Sequence, residues 1–213
     1  MTSIESIILE VPDPAAAEHF YAAAFGLGDR LRVRPGDAPT SGFRGFTVSL
    51  VVAQPSTVDS LIGTAVHAGA RTLKPAKKSF WGYGGVVQAP DGAIWKIATS
   101  AKKDTGPATR EVSDVVLLMG VDDVKASKQF YVARGLAVAK SFGGKYVEFD
   151  AAGSPVKLAL YSRRAAAKDA GVPADGAGAH RIVIIGAGEP FTDPDGFAWE
   201  TMSRTGADNA RAL

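Results

Sequence analysis

The sequence predicts an α+β fold written twice in tandem, on two observations. Pro90-Asp91-Gly92-Ala93-Ile94-Trp95-Lys96 returns as Pro194-Asp195-Gly196-Phe197-Ala198-Trp199-Glu200. Each copy reads as a tight turn entering a strand, with Pro setting φ and Gly supplying the positive φ that closes the turn. Asp13 precedes Phe20-Tyr21 by seven and eight residues, and Asp123 precedes Phe130-Tyr131 by the same spacing. The offset is 110 residues from Asp13 to Asp123 and 104 from Asp91 to Asp195, in the same order, as a duplication requires.

The elements follow in chain order. Residues 4–11 are apolar and β-branched, a strand. Asp13 caps a helix with Pro14 at its first position, running over 15–25 and stopping at Gly26. A strand at 29–34 presents Arg30, Arg32 and Arg34 as an exposed edge, and a Pro/Gly/Asp loop covers 35–42. Residues 46–53 are a strand. Ser56 with Asp59 resembles a capping box ahead of a helix at 57–68, ended by Gly69. A strand at 71–74, a Lys-rich loop, a strand at 86–88, the first Pro-Asp-Gly turn and a strand at 93–98 complete the first copy. Residues 100–110 mix Gly, Pro and charge without periodicity and read as a linker. A strand at 112–121, a capped helix at 124–134, strands at 136–141, 145–150 and 155–161, a helical turn plus loop over 163–178, and a strand at 180–185 lead to the second turn. The boundaries are thus 1–99, a linker 100–110, 111–203, and a frayed tail 204–213.

Composition narrows the chemistry. The 24 basic and 22 acidic residues leave a net charge of +2 without a basic block, so no nucleic-acid partner is expected. The absence of cysteine excludes disulfides, thiolate nucleophiles and Cys-based metal sites. No apolar run approaches the ~20 residues of a bilayer span, and no secretory signal opens the chain. A soluble, cytoplasmic protein without membrane contact, a monomer or a homodimer, is the expectation. No Lys-Ser/Thr follows the glycines of 82–85 at phosphate-loop spacing, no helix follows Gly186-Ala187-Gly188, and no Gly-x-Ser-x-Gly elbow occurs.

The order strand, Asp cap, helix ending in Phe-Tyr, then Asp193-Pro194-Asp195-Gly196-Phe197-Ala198-Trp199-Glu200 resembles the vicinal oxygen chelate superfamily. That group holds glyoxalases, bleomycin-resistance proteins and extradiol dioxygenases. The resemblance spans almost the whole chain. It implies modules of paired βαβββ units whose curved sheets form a cup with helices outside, and a divalent metal held by His and Glu side chains on first and last strands.

Strand alternation sends Lys96 and Glu200 to the face opposite Trp95 and Trp199. In the first copy the positions matching the family's ligands are Ser6 and Lys96, which cannot hold a cation. In the second, Glu200 takes the family's glutamate position and His180 opens a strand that supplies a histidine. Counting back from Phe130-Tyr131 reaches Val116, and a two-residue bulge would bring Asp114 into register instead. Asp114, His180 and Glu200 would suit Zn, Fe, Mn or Ni, with Glu200 doubling as a base. Otherwise Glu200 pairs with an arginine such as Arg181, and His180 is a loop histidine bonded to backbone. His19 and His67, on helices, are scaffold or surface. Phe80, Trp81 and Tyr83 among glycines offer flat faces for a planar ligand, or else a glycine-rich strand packed in the core. The readings are a metal-depleted protein binding a small organic molecule in its cup, a metal-dependent lyase, isomerase or dioxygenase with one site in the second copy, or a structural or partner-binding module.

Overall fold

The computed structural model describes residues 3–150 and 153–201. The expected tail 204–213 lies outside the described residues. Four units follow one another. The first is β1 (Ile4–Val11), α1 (Pro14–Ala24), a short 3-10 turn at Gly28–Arg30, β2 (Leu31–Pro35) and β3 (Thr40–Gly42). The second is β4 (Phe46–Val51), α2 (Pro55–His67), β5 (Arg71–Ser79), β6 (Gly82–Gln88) and β7 (Ile94–Thr99). The third is β8 (Asp114–Val121), α3 (Val124–Ala133), β9 (Val138–Phe142), β10 (Tyr146–Phe149) and β11 (Val156–Ser162). Then come α4 (Arg163–Ala170), β12 (Gly176–Gly178), β13 (Ile182–Gly186), β14 (Phe191–Thr192) and β15 (Ala198–Thr201).

The sheets cross the boundary between the two copies. One has eight strands in the order β5-β6-β7-β4-β8-β11-β10-β9, so the second and third units meet at the antiparallel β4–β8 seam. The other has five in the order β14-β15-β13-β1-β2, so the first and last units meet at the antiparallel β1–β13 seam. A two-stranded ribbon of β3 and β12 links the same outer units. β2 is an edge strand, as its arginines suggest, although Arg30 belongs to the preceding turn.

Local chemistry explains the elements. Asp13 and Asp123 cap α1 and α3 by accepting backbone N–H groups of Ala16 and of Lys125 and Ala126, satisfying donors a helix start leaves free. The cap of α2 is not Ser56: Gln54 is the cap residue, Pro55 opens the helix, and Ser56 lies inside it. Buried Gln54 instead fastens 105–107, accepting from Thr105 and Gly106 backbone N–H groups and donating to the Gly106 and Pro107 carbonyls. The segment expected as a linker therefore lies tied to the body at 105–107. The Lys-rich segment expected as a loop continues β5 to Ser79, with two bulges and Pro75 on the sheet edge, where a missing N–H costs no ladder bond.

The core joins the inner faces of both sheets to α1, α2 and α3. Trp95, Tyr131, Phe25 and Phe149 are among its fully buried side chains. Each Phe-Tyr motif locks its helix to the turn of its own copy. Tyr21 donates to Asp91 at 2.5 Å and Tyr131 to Asp193 at 2.6 Å, with Trp199 donating to Tyr131 at 3.2 Å. The acceptors are not equivalent in the repeat, because Ala89 stands where the second copy has Asp193. There Asp195 instead caps the start of the α3 region, accepting from the Asp122 N–H and the Ser127 hydroxyl.

Candidate functional site: the open face of the eight-stranded sheet

Ladder register fixes which side chains share the face away from the core. Ser49 lies opposite Val116 across the seam, Lys96 beside Ser49, and Lys157 beside Val116. Asp114 pairs with Val51, Glu148 with Ala159, and Tyr146 with Tyr161. On the other flank Lys74 lies opposite Val86, Lys77 opposite Gly84, and Gly84 opposite Ala98.

This face is a trough with α4 laid along one end. Ala166, Ala167 and Ala170 pack on Phe43, Val86 and Ile94, and small residues are what let a helix lie so close. At Gly120 in β8 a Cβ would come within 3.0 Å of the Ala166 Cβ and 3.1 Å of the Arg163 Cα. Ser162 caps the helix and Gly171, at φ 81°, ends it. Lys74 donates to the Lys168 and Asp169 carbonyls at 2.6 and 2.7 Å, satisfying the negative end of the helix.

Asp169 reaches from α4 to Lys96 at 2.7 Å, each side chain about one-third exposed. This ion pair stands between two grooves. One, about 320 Å³, is lined by Ser49, Lys96, Asp114, Tyr146, Lys157 and Tyr161 among others. The other, about 290 Å³, is lined by Lys74, Lys77, Trp81, Gly84 and Ala98, and shares Lys96 and Asp169. In the first, Lys157 binds Asp114 at 2.8 Å, and the Tyr146 and Tyr161 rings lie 4.9 Å apart. Burial raises both phenol pKa values, reinforced by the Glu148 hydrogen bond at Tyr146 and by Asp169 at Tyr161. Both hydroxyls are therefore protonated donors at neutral pH. In the second groove burial pulls Lys74 below the ordinary lysine range. Asp169 opposes this, while Lys96, Lys77 and Lys168 add to it.

The residues singled out from sequence divide between several places. Lys96 and Glu200 do point away from the buried Trp95 and Trp199. They lie on different sheets, however, and so do Asp114 and Glu200, because the unit bearing β8 pairs with the second unit rather than the last. Glu200 receives both Arg34 nitrogens, at 2.9 and 3.0 Å, and the same guanidinium holds Glu10 at 2.7 Å. The Glu200 hydrogen bond is the main cause raising the Arg34 pKa. The arginine partner is thus Arg34, whereas Arg181 donates to the Ala38 carbonyl.

His180 precedes β13 as a loop residue. Its ring stacks on Phe197 at 3.9 Å, with Nδ1 2.5 Å from the Arg44 carbonyl and Nε2 2.9 Å from that of Asp195. Both nitrogens are engaged by backbone, so neither is aimed at a carboxylate. The structure does not bring Asp114, His180 and Glu200 together. Among the described residues no group of three His, Asp or Glu side chains could hold a metal. In the trough the residues at the seam are a hydroxyl, a valine and two lysines, a donor set that does not fit a Zn, Fe, Mn or Ni ion. His19 and His67 are exposed on their helices, as expected.

Of the aromatic trio, Trp81 lines the second groove and is 82% exposed at the β5–β6 hairpin tip, with Phe80 beside it, 81% exposed. Tyr83 lies opposite Thr99, four residues from Trp95 and hence on the core face, and its hydroxyl donates to Asp59 of α2. The glycines answer to strand packing: a Cβ at Gly84 would come 2.8 Å from the Ile97 carbonyl oxygen. Sequence reasoning missed Lys74, Lys77, Lys157, Asp169, Tyr146 and Tyr161. The alternation in Lys157-Leu158-Ala159-Leu160-Tyr161, with both leucines buried, carried the signal for two of them.

No protein-family profile and no curated protein matches the sequence. Solved structures do. Glyoxalase I from Zea mays superposes with a TM-score of 0.62 at 13% identity, covering 94% of this chain and 92% of that one. A protein from Bacillus subtilis described as a dioxygenase superposes with a TM-score of 0.53 at 13% identity, covering 86% of this chain and 69% of that one. At such identity the likeness is one of fold. Four consecutive units and an α+β architecture give the chain a glyoxalase-like fold.

Proposed function

We propose that the protein binds a small organic molecule in the trough of the eight-stranded sheet and holds it by side chains rather than by a metal. The carrying observation is the register that gathers Ser49, Lys96, Val116, Lys157, Tyr146 and Tyr161 on one open face, over grooves of about 320 and 290 Å³. Such volumes sit at the low end for small-molecule pockets. Protonated phenols and ammonium groups above an apolar floor recognise carbonyl, hydroxyl or carboxylate groups on a compact ligand.

Substituting Val116→Trp fills the trough from its floor. A fragment screen by ligand-observed NMR is expected to give hits on the parent protein that the folded V116W variant loses, with substoichiometric metal after dialysis. Hits unaffected by V116W, or one tightly held metal per chain that disappears in Glu200→Ala, would overturn the reading.

A further inference from the structure

The two grooves differ in charge. The one over Tyr146 and Tyr161 sets Lys96 and Lys157 against Asp114, Glu148 and Asp169. The one under Trp81 sets Lys74, Lys77 and Lys96 against Asp169 alone. Lys77 is exposed and makes no ion pair among the described residues. The floor there is bare, since Gly84 and Ala98 face each other across β6 and β7. Trp81 lines this groove from the exposed hairpin tip, its ring edge-on to that of Phe80 at 5.0 Å.

We infer that this second groove binds an organic anion carrying a flat ring, with the anionic group among Lys74, Lys77 and Lys96 and the ring against Trp81, and that Asp169 occupies the anion position when no ligand is bound. The inference rests on the reading of the trough as a ligand cavity and names its ligand class. Asp169 already bonds the Lys96 ammonium at 2.7 Å, as a ligand carboxylate would. Three lysines line this groove against a single carboxylate, an excess of positive charge that a second negative charge offsets. Trp81 offers a large planar face with few torsions to restrict, so stacking costs little entropy.

The probes are naphthoate and its neutral isostere naphthamide, titrated calorimetrically into the full chain. Naphthoate is expected to bind more tightly, and added salt to erode the difference. Lys77→Ala, at an exposed position, should weaken naphthoate by about three- to fivefold, the size of a partly exposed ion pair, and leave naphthamide unchanged. Asp169→Asn should tighten naphthoate selectively, and Trp81→Ala should weaken both compounds. Equal affinities, or indifference of naphthoate to Lys77→Ala and Asp169→Asn, overturn the anion assignment while leaving the trough as a cavity for neutral molecules. Binding of neither probe overturns the assignment as well, and the cavity falls with it only if the fragment screen is also empty.

Discussion

Tyr21 and Tyr131 are buried and each donates to a carboxylate, Asp91 or Asp193. Burial foremost, and then the neighbouring Asp charge, raises both phenol pKa values well above the ordinary tyrosine value. A native state that keeps protons the unfolded chain releases loses stability as pH climbs. The contribution is intact below about pH 10 and fades above it. Chemical denaturation between about pH 8 and 11 should therefore show a steep alkaline loss, flattened in the Tyr21→Phe/Tyr131→Phe double variant. At neutral pH Tyr131→Phe should cost about 1–3 kcal/mol, because it strips one hydrogen bond from Asp193 and another from Trp199. These locks were half legible in the sequence. The repeated spacing marks both tyrosines, but Asp91 and Asp195 align in the repeat while the second tyrosine chooses Asp193. Only the three-dimensional turn decides that.

At the scale of elements, α4 depends on the absence of a side chain beneath it. Gly120→Ala drives a methyl against Ala166 and the α4 backbone, and should cost about 1–3 kcal/mol by overpacking, read as a lowered midpoint in urea. Gln54 ties down the linker. Gln54→Ala should open cleavage by trypsin at Lys102-Lys103 at a temperature where the parent chain resists, with a smaller effect on global unfolding. Strand and helix positions were readable from periodicity and turn chemistry, and the caps at Asp13 and Asp123 stand as read. Facing across strands was not. Alternation tells which residues of one strand share a face, but Tyr83 takes its face from the ladder to β7, set by the length of the 89–93 loop. The short strands β3, β12 and β14 exist through their partners, which local sequence does not announce.

Over the whole molecule the repeated sequence motifs and the sheets divide the chain differently. One set of motifs precedes residues 100–110 and the other follows them, while each of the two larger sheets takes strands from both sides of that segment. A repeated sequence shows that units exist without showing which pair, since any two such units present a similar edge. That is why the cup predicted to contain Asp114, His180 and Glu200 is two different sheets with a loop histidine apart from both. A fragment of residues 1–99 leaves β4 without β8 and β1 without β13. It should be unfolded alone by circular dichroism and regain structure when mixed with 100–213.

The most direct measurement is amide chemical-shift mapping of the folded, isotope-labelled chain titrated with naphthoate. Shifts concentrated at Lys74, Lys77, Gly84, Lys96, Ala98 and Asp169 are predicted, with the Trp81 indole N–H moving alongside. Shifts gathered instead around Glu10, Arg34 and Glu200 on the five-stranded sheet, or none at all at saturating probe, would contradict the account.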